Sequence, residues 1–368
     1  MPDFTIPPTR TPPRGSLRAG WGALILFTLV LVYASLNPFI GWRAPEAFTL
    51  LSWPKYWSVF DIVLNVLAYI PFGALLAWQH GRHAPIAGGT LFRSALFAIA
   101  IGLLMSVALE LTQLMLPGRV CSLFDVLANA LGSAMGALAV VMAPGRAALA
   151  QVARWRHRHF AFGARAEWGI LLLGLWLFAQ LNPAIPFFQA GYLSYDILTA
   201  EKPHPYDPLF LLPQALGVAL NVCGFAMFVA VILHPAKRKL INALLILALG
   251  FVAKVSAAAL MLKAPLLVDW ISPATLIGLA FGVVMFSLAV RLPYRWRVFA
   301  ATLLVFAGGL MAKITSIYGA LDETLRLFNW PYGHLLNFTS LTRWAHEVWP
   351  LLACLFLAIV FLRHRDIP

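Results

Sequence analysis

The sequence predicts an all-α protein, a polytopic transmembrane bundle of about ten helices, and three observations lead there. Of 368 residues, 61% are hydrophobic and only 11% charged, and mean hydropathy is +0.82. Soluble domains carry roughly 25% charged residues, and a water-soluble core cannot absorb so much apolar surface. Apolar runs of about 20 residues, enough to cross a hydrocarbon layer of ~30 Å, recur along the whole length. Basic residues gather in short blocks between these runs rather than on one continuous face, so the net charge of +13 points to membrane topology and excludes nucleic acid as the partner.

Apolar runs ended by charge, Pro or Gly place helices near 20–37, 59–79, 94–116, 122–143 and 167–183, then 212–233, 241–262, 267–290, 297–318 and 344–362. The segment 1–19, with Pro7, Pro8, Pro12 and Pro13, reads as a disordered tail before a signal-anchor helix. Segment 144–166 is a basic loop in which Trp155 and Phe160 lie among Arg154, Arg156, His157, Arg158 and His159, a composition suited to anionic headgroups. Segment 319–346 mixes Leu, Phe and Trp with Asp322, Glu323 and Arg326, as an interfacial amphipathic helix does. Cys121, Cys223 and Cys354 are far apart in or beside apolar runs, the pattern of buried thiols rather than of disulfides or a metal site.

Cytoplasmic loops collect Lys and Arg. With the N-terminus inside, only seven of the 27 Lys and Arg residues fall outside (Arg43, Lys55, Arg119, Lys202, Lys263, Arg326 and Arg343). Two more, Lys254 and Lys313, fall within helices, and the remaining 18 are inside. Both termini are therefore expected in the cytoplasm. Of the acidic residues, only Asp3, Glu167 and Asp366 fall on that side, which directs the search for chemistry to the outer face.

The chain also repeats itself. Leu36-Asn37-Pro38 returns as Leu181-Asn182-Pro183, Leu64-Asn65-Val66 as Leu220-Asn221-Val222, Leu114-Met115-Leu116 as Leu260-Met261-Leu262, and Gly132/Gly136 as Gly278/Gly282. An even number of helices per unit makes two parallel four-helix repeats, 20–143 and 167–290, with 291–368 adding two helices. The glycine pairs are small-xxx-small packing surfaces. Charge is lost in the second unit: Glu110 becomes Ser256, Gln113 Ala259, Arg119 Pro265, Asp125 Ile271, Asn129 Thr275 and Asp61 Gly217.

The first unit holds the candidate site. Phe60-Asp61 with Asn65 and Phe124-Asp125 with Asn129 both place Asn four residues after Asp, and Glu110 and Gln113 are three apart, so each pair shares a helix face. A short turn at Pro117-Gly118-Arg119 makes an antiparallel hairpin. Reflection about it, with residue numbers summing to 235, sets Glu110 against Asp125 and Gln113 against Ser122, with Arg119 above them. Ligand-binding candidates are thus Asp61, Asn65, Glu110, Gln113, Arg119, Ser122, Asp125 and Asn129, with no catalytic residue assigned, no metal and no cofactor. A structural account competes: Asp61 and Asp125 cap helices while Glu110 and Arg119 lock the hairpin. Lys254 and Lys313, as intramembrane cations, are either functional, snorkelling or paired with carboxylates.

The ordered set Asp61, Asn65, Pro71, Gly73, then Glu110, Gln113, Pro117, Gly118, Arg119, then Asp125, Asn129, Gly132 and Gly136 resembles the VanZ-like family of bacterial membrane proteins over about residues 20–143. The resemblance implies a multi-pass protein of the bacterial cytoplasmic membrane, whose founding member is associated with low-level teicoplanin resistance. Three functions are open: a binder or modulator of a membrane lipid or lipid-linked cell-wall precursor, a proton-coupled transporter or flippase using Glu110, and an enzyme on a lipid-linked substrate with Glu110 and Asp125 as acid and base.

Overall fold

In a lipid interior no water is present to satisfy backbone N–H and C=O groups, so the chain must satisfy them within helices. The computed structural model describes residues 14–37, 39–44, 59–81, 88–116, 121–161, 163–185, 187–188, 208–234, 238–262, 271–315 and 334–363. Eleven helices occur among the described residues: α1 Arg14–Leu36, α2 Val59–Gly81, α3 Gly88–Gln113, α4 Leu123–Val141, α5 Ala143–His159, α6 Ala164–Ala179, α7 Pro208–Ile232, α8 Lys239–Met261, α9 Pro273–Ala289, α10 Tyr294–Thr315 and α11 His334–Arg363. Seven contain stretches long and apolar enough to cross a membrane, and Gly20–Leu36 and Pro273–Ala289 are shorter apolar helices. The protein is a multi-pass helical bundle.

Ten helices fall near where the apolar runs place them; α3 begins six residues early at Gly88 and α9 six residues late at Pro273, and three further differences concern α1, the basic loop and the last helix. α1 begins at Arg14, inside the stretch expected to be tail; residues 1–13 of that tail lie outside the described residues. The basic loop is itself mostly α5, whose exposed Trp155 stacks on His159 and meets Phe160 edge-on. Its lack of a long apolar run hides it from a search for membrane spans. The last helix starts at His334, ten residues early, and runs for 30 residues. The 334–346 part of the expected interfacial segment is its continuation, because no helix breaker intervenes; residues 319–333 lie outside the described residues.

In the first half α2 packs most extensively on α4, and α3 covers both. The contact is close because glycines face backbone: a Cβ on Gly136 would lie 1.9 Å from the Ile70 carbonyl oxygen, one on Gly132 2.3 Å from that of Val66, and one on Gly73 2.1 Å from that of Ser133. Tyr69, Phe72, Leu76, Ala98 and Ala137 fill the core behind them.

The second half is built around α7, whose side chains from Val222 to Leu233 are almost all buried. It packs on α9 and, almost as extensively, on α10. Gly278 faces the Ala215 carbonyl and Val218, and Gly282 faces the Ala219 carbonyl and Val222. These seats match those of Gly132 (Val66 carbonyl, Tyr69) and Gly136 (Ile70 carbonyl) with a constant shift of 149 on the partner helix. With that shift Asn65 corresponds to Gln214, whereas the shared triplet matches it with Asn221. Asn221 serves another contact, donating to the Gly217 and Gly308 carbonyls at 3.0 Å each, which holds α10 against α7.

A backbone bridge joins the halves, with Ala161 N–H donating to Ile232 O and His234 N–H to His159 O. Arg156 pairs with Glu167 at 3.3 Å across the same junction. Cys121 and Cys223 are buried and Cys354 partly so, and none of them forms a disulfide.

Candidate functional site

Three helices each turn one polar stripe toward the others, with members four residues apart: Asp61, Asn65 and Tyr69 on α2; Gly102, Ser106 and Glu110 on α3; Asp125, Asn129 and Ser133 on α4. Four residues is close to one helical turn, so each stripe runs nearly along its helix axis. Ser106, Glu110, Gln113, Ser122, Asn129 and Ser133 are buried, and Asp61, Asn65 and Asp125 partly so.

The stripes are cross-linked in tiers. At the end where α3 turns into α4, the Asn65 amide donates to Asp125 Oδ1 at 2.7 Å, and the Ser122 backbone N–H donates to Glu110 Oε2 at 3.0 Å. One turn further in, Asn129 Nδ2 donates to Ser106 Oγ at 2.9 Å. One more turn in, Ser133 lies against Gly102, where an added Cβ would meet its Oγ at 2.1 Å. Both inner pairings, 106 with 129 and 102 with 133, keep the residue sum of 235 expected from reflection about the hairpin.

In the outer tier Glu110 accepts from the Ser122 N–H and Asp125 from the Asn65 amide. Gln113 does not meet Ser122: its amide donates to the Ser35 carbonyl at 2.9 Å and so ties α3 to the end of α1. The physical reason is the positive end of the helix dipole. Ser122 is the N-cap of α4 and Asp125 lies in its first turn, so both carboxylates gather at one N-terminus while pointing at different donors. Asp61 occupies the first turn of α2 and makes no ion pair or hydrogen bond among the described residues. Ser122 makes no side-chain cap bond. Arg119, expected above the carboxylates, lies outside the described residues. The stretch 39–44 crosses this end of the bundle, with the Arg43 N–H donating to Met115 O at 2.9 Å; its Phe39, Ile40 and Trp42 are exposed.

Three participants escaped the sequence reading: Tyr69, Ser106 and Ser133. Each lies one four-residue step inward from a candidate, so extending the same spacing by a turn finds them. The Tyr69 hydroxyl lies against Ser106 and within electrostatic reach of Glu110. Asn129 Oδ1 and Ser133 Oγ complete no hydrogen bond among the described residues. Buried polar atoms of this kind are uncommon in native proteins.

Outside the stripes, Lys254 is buried and donates to the Asn182 and Ile185 carbonyls at 2.7 and 2.6 Å; it neither snorkels nor meets a carboxylate there. Lys313 pairs with Glu347 at 3.6 Å. Among the described residues no cluster of His, Cys, Asp and Glu could hold a metal ion.

No curated protein and no solved structure matches the chain. The family model VanZ/LLP1 matches residues 10–144, a range that spans α1 to α4 and includes every residue of the three stripes. Residues 10–144 of this membrane protein are therefore similar to the VanZ-like family.

Proposed function

We propose that the VanZ-like half is a binding or modulating module that acts at the outer face of a bacterial cytoplasmic membrane on an envelope lipid or a lipid-linked cell-wall precursor, and thereby affects glycopeptide susceptibility. In this reading both termini are cytoplasmic, the Glu110 end faces outward, and 167–290 is a degenerate copy that supports the first. The observation that carries it is unspent hydrogen-bonding capacity beneath the carboxylates. Side chains that only lock helices together gain by closing every bond, since a buried polar atom left open costs roughly 1–3 kcal/mol. Here Asn129 Oδ1 and Ser133 Oγ stay open among the described residues, one and two turns inside Asp125. A donor on a ligand headgroup would find an acceptor in Asn129 Oδ1, beside the two carboxylates.

The test is expression in a glycopeptide-sensitive host with Glu110→Gln and Asp125→Asn, which keep shape and remove charge. Loss of the susceptibility change at normal accumulation supports the site; full retention of the wild-type effect returns these residues to hairpin locking.

A proton-coupled transporter is the second reading, favoured by the depth of the stripe. Ser133 lies ten residues inside Leu123, about 15 Å at ~1.5 Å per residue and near the middle of a ~30 Å layer. Solute flux in proteoliposomes that responds to a pH gradient and is lost in Glu110→Gln would favour it over binding.

A further inference from the structure

A cavity of about 250 Å³ lies in the second half, lined by residues of α6, α7, α10 and α11. Its floor is aromatic, with Trp176 stacked on Phe225 at 3.7 Å and Trp349 beside them. A second, apolar recess follows the seam between α10 and α11. It shares Phe306 and Cys354 with the cavity and continues past Leu303 to Phe299 and Leu362, while the Thr302 hydroxyl turns away to donate to the Val298 carbonyl at 2.9 Å. Around the junction Phe306, Leu310 and Leu351 are exposed. In a multi-pass bundle such side chains face acyl chains, so the junction opens sideways into the bilayer.

Two amides meet above the stacked rings. Gly169 lies against Ile232 and Trp176 against Phe225, seven residues forward on α6 for seven back on α7. Four more in the same register set Gln180 opposite Asn221, one helical turn beyond the rings. Asn221 donates to the Gly217 and Gly308 carbonyls, which leaves its Oδ1 open among the described residues. Gln180 is 3% exposed and donates to the Trp176 carbonyl at 3.3 Å, and its Oε1 accepts nothing from the described residues. The Trp349 indole N–H is bonded to the Leu172 carbonyl at 2.8 Å, whereas that of Trp176, 5% exposed, has no partner among the described residues. None of these three atoms is sealed in packing, so each opens on the cavity that its residue lines. The charged groups at the same end already interact with one another: Glu347 meets Lys313 at 3.6 Å and Arg343 at 3.2 Å.

We propose that this cavity binds the head of a neutral, hydroxyl-bearing lipid of the acylglycerol kind. Two acceptors and one donor on uncharged side chains suit hydroxyls, each of which both donates and accepts. The hydroxyls lie on Asn221, Gln180 and Trp176, and the tail leaves along the α10–α11 recess, where Phe306 to Phe299 spans about 10 Å at ~1.5 Å per residue. The volume limits the head: it is room for about eight waters at ~30 Å³ each, enough for glycerol and the start of a chain. An apolar slot alone would take any tail; the open neutral atoms select the hydroxyl. The site is separate from the three polar stripes of the first half and does not rest on their function.

The test is native mass spectrometry of the full chain in non-ionic micelles, titrated with 1-oleoylglycerol, methyl oleate or oleate. The first two share a tail and differ in free hydroxyls; the third carries a charge. Wild type should retain 1-oleoylglycerol over both. Trp176→Phe keeps a stacking ring and removes the N–H, and Gln180→Met keeps the length and removes the amide. Each should reduce that preference roughly fivefold, about the worth of one hydrogen bond. Cys354→Phe, which blocks the passage from cavity to recess, should lower retention of 1-oleoylglycerol and methyl oleate alike. Monodisperse elution verifies the fold of each variant. Equal retention of 1-oleoylglycerol and methyl oleate by wild type, or an undiminished preference in either polar variant that folds, would overturn the proposal. Tighter retention of oleate would overturn the neutral assignment.

Discussion

Gly136 and Gly282 occupy equivalent seats with unequal clearance, so one substitution made in both halves measures how much each interface depends on its glycine. In Gly136→Ala the new Cβ would stand 1.9 Å from the Ile70 carbonyl oxygen and 2.8 Å from the Ala74 nitrogen. Both are backbone atoms that no rotamer change can move, and an ordinary contact there is about 3.4 Å. α2 and α4 must therefore part by about 1.5 Å. A gap of 0.5–1 Å already forfeits a quarter to a half of the dispersion energy of facing atoms, so the cost should reach or exceed the upper end of the usual ~1–3 kcal/mol for overpacking. In Gly282→Ala the nearest atom is Val222 Cβ at 2.8 Å, with the Ala219 carbonyl oxygen at 2.9 Å; a shift of about 0.5 Å suffices, and the cost should stay near ~1 kcal/mol. Apparent melting of both variants in the same detergent, followed by fluorescence-detected size exclusion, gives the comparison. Gly136→Ala should melt clearly below Gly282→Ala. Equal melting, or the reverse order, would refute the claim that backbone contact at these glycines sets the two interfaces.

Other outcomes follow from particular contacts. A double-mutant cycle of Asn65→Ala with Asp125→Ala should give a coupling of about 0.6–1.7 kcal/mol, the range for polar pairs between membrane helices; zero coupling in the same melting assay would mean that the 2.7 Å bond contributes nothing to stability. Lys254→Met removes the donor to the Asn182 and Ile185 carbonyls and should cost about 1–3 kcal/mol by leaving buried acceptors open, visible as a lower melting temperature; an unchanged or raised value would show that relieving the buried charge outweighs those bonds. Reporter fusions after residues 155 and 200 should read inside and outside respectively, and the opposite pattern would reject the orientation on which the outward-facing site rests.

The bilayer as solvent made much of this protein legible in one dimension. A helix that must satisfy its own backbone and present apolar side chains to lipid betrays its place by length and hydropathy alone, so the spans could be placed without tertiary information. α5 could not, because a polar, arginine-rich helix has no such signal. The four-residue spacing put Asn65, Glu110, Asp125 and Asn129 on inward faces, and the reflection about the hairpin carried to the pairs Ser106/Asn129 and Gly102/Ser133. What one dimension lacks is the third partner. That Glu110 accepts from the Ser122 N–H depends on where α4 begins, and whether Gln113 reaches Ser122 or the Ser35 carbonyl depends on how α1 lies against α3. The register of the two halves likewise needed three dimensions: the letters align Asn65 with Asn221, while the glycine seats align it with Gln214, because a shared triplet carries less constraint than backbone atoms in contact. A cavity of about 250 Å³ between α6, α7, α10 and α11 is the extreme case, since its lining residues, from Trp176 to Cys354, share no pattern in sequence and meet only because these helices pack around a common space.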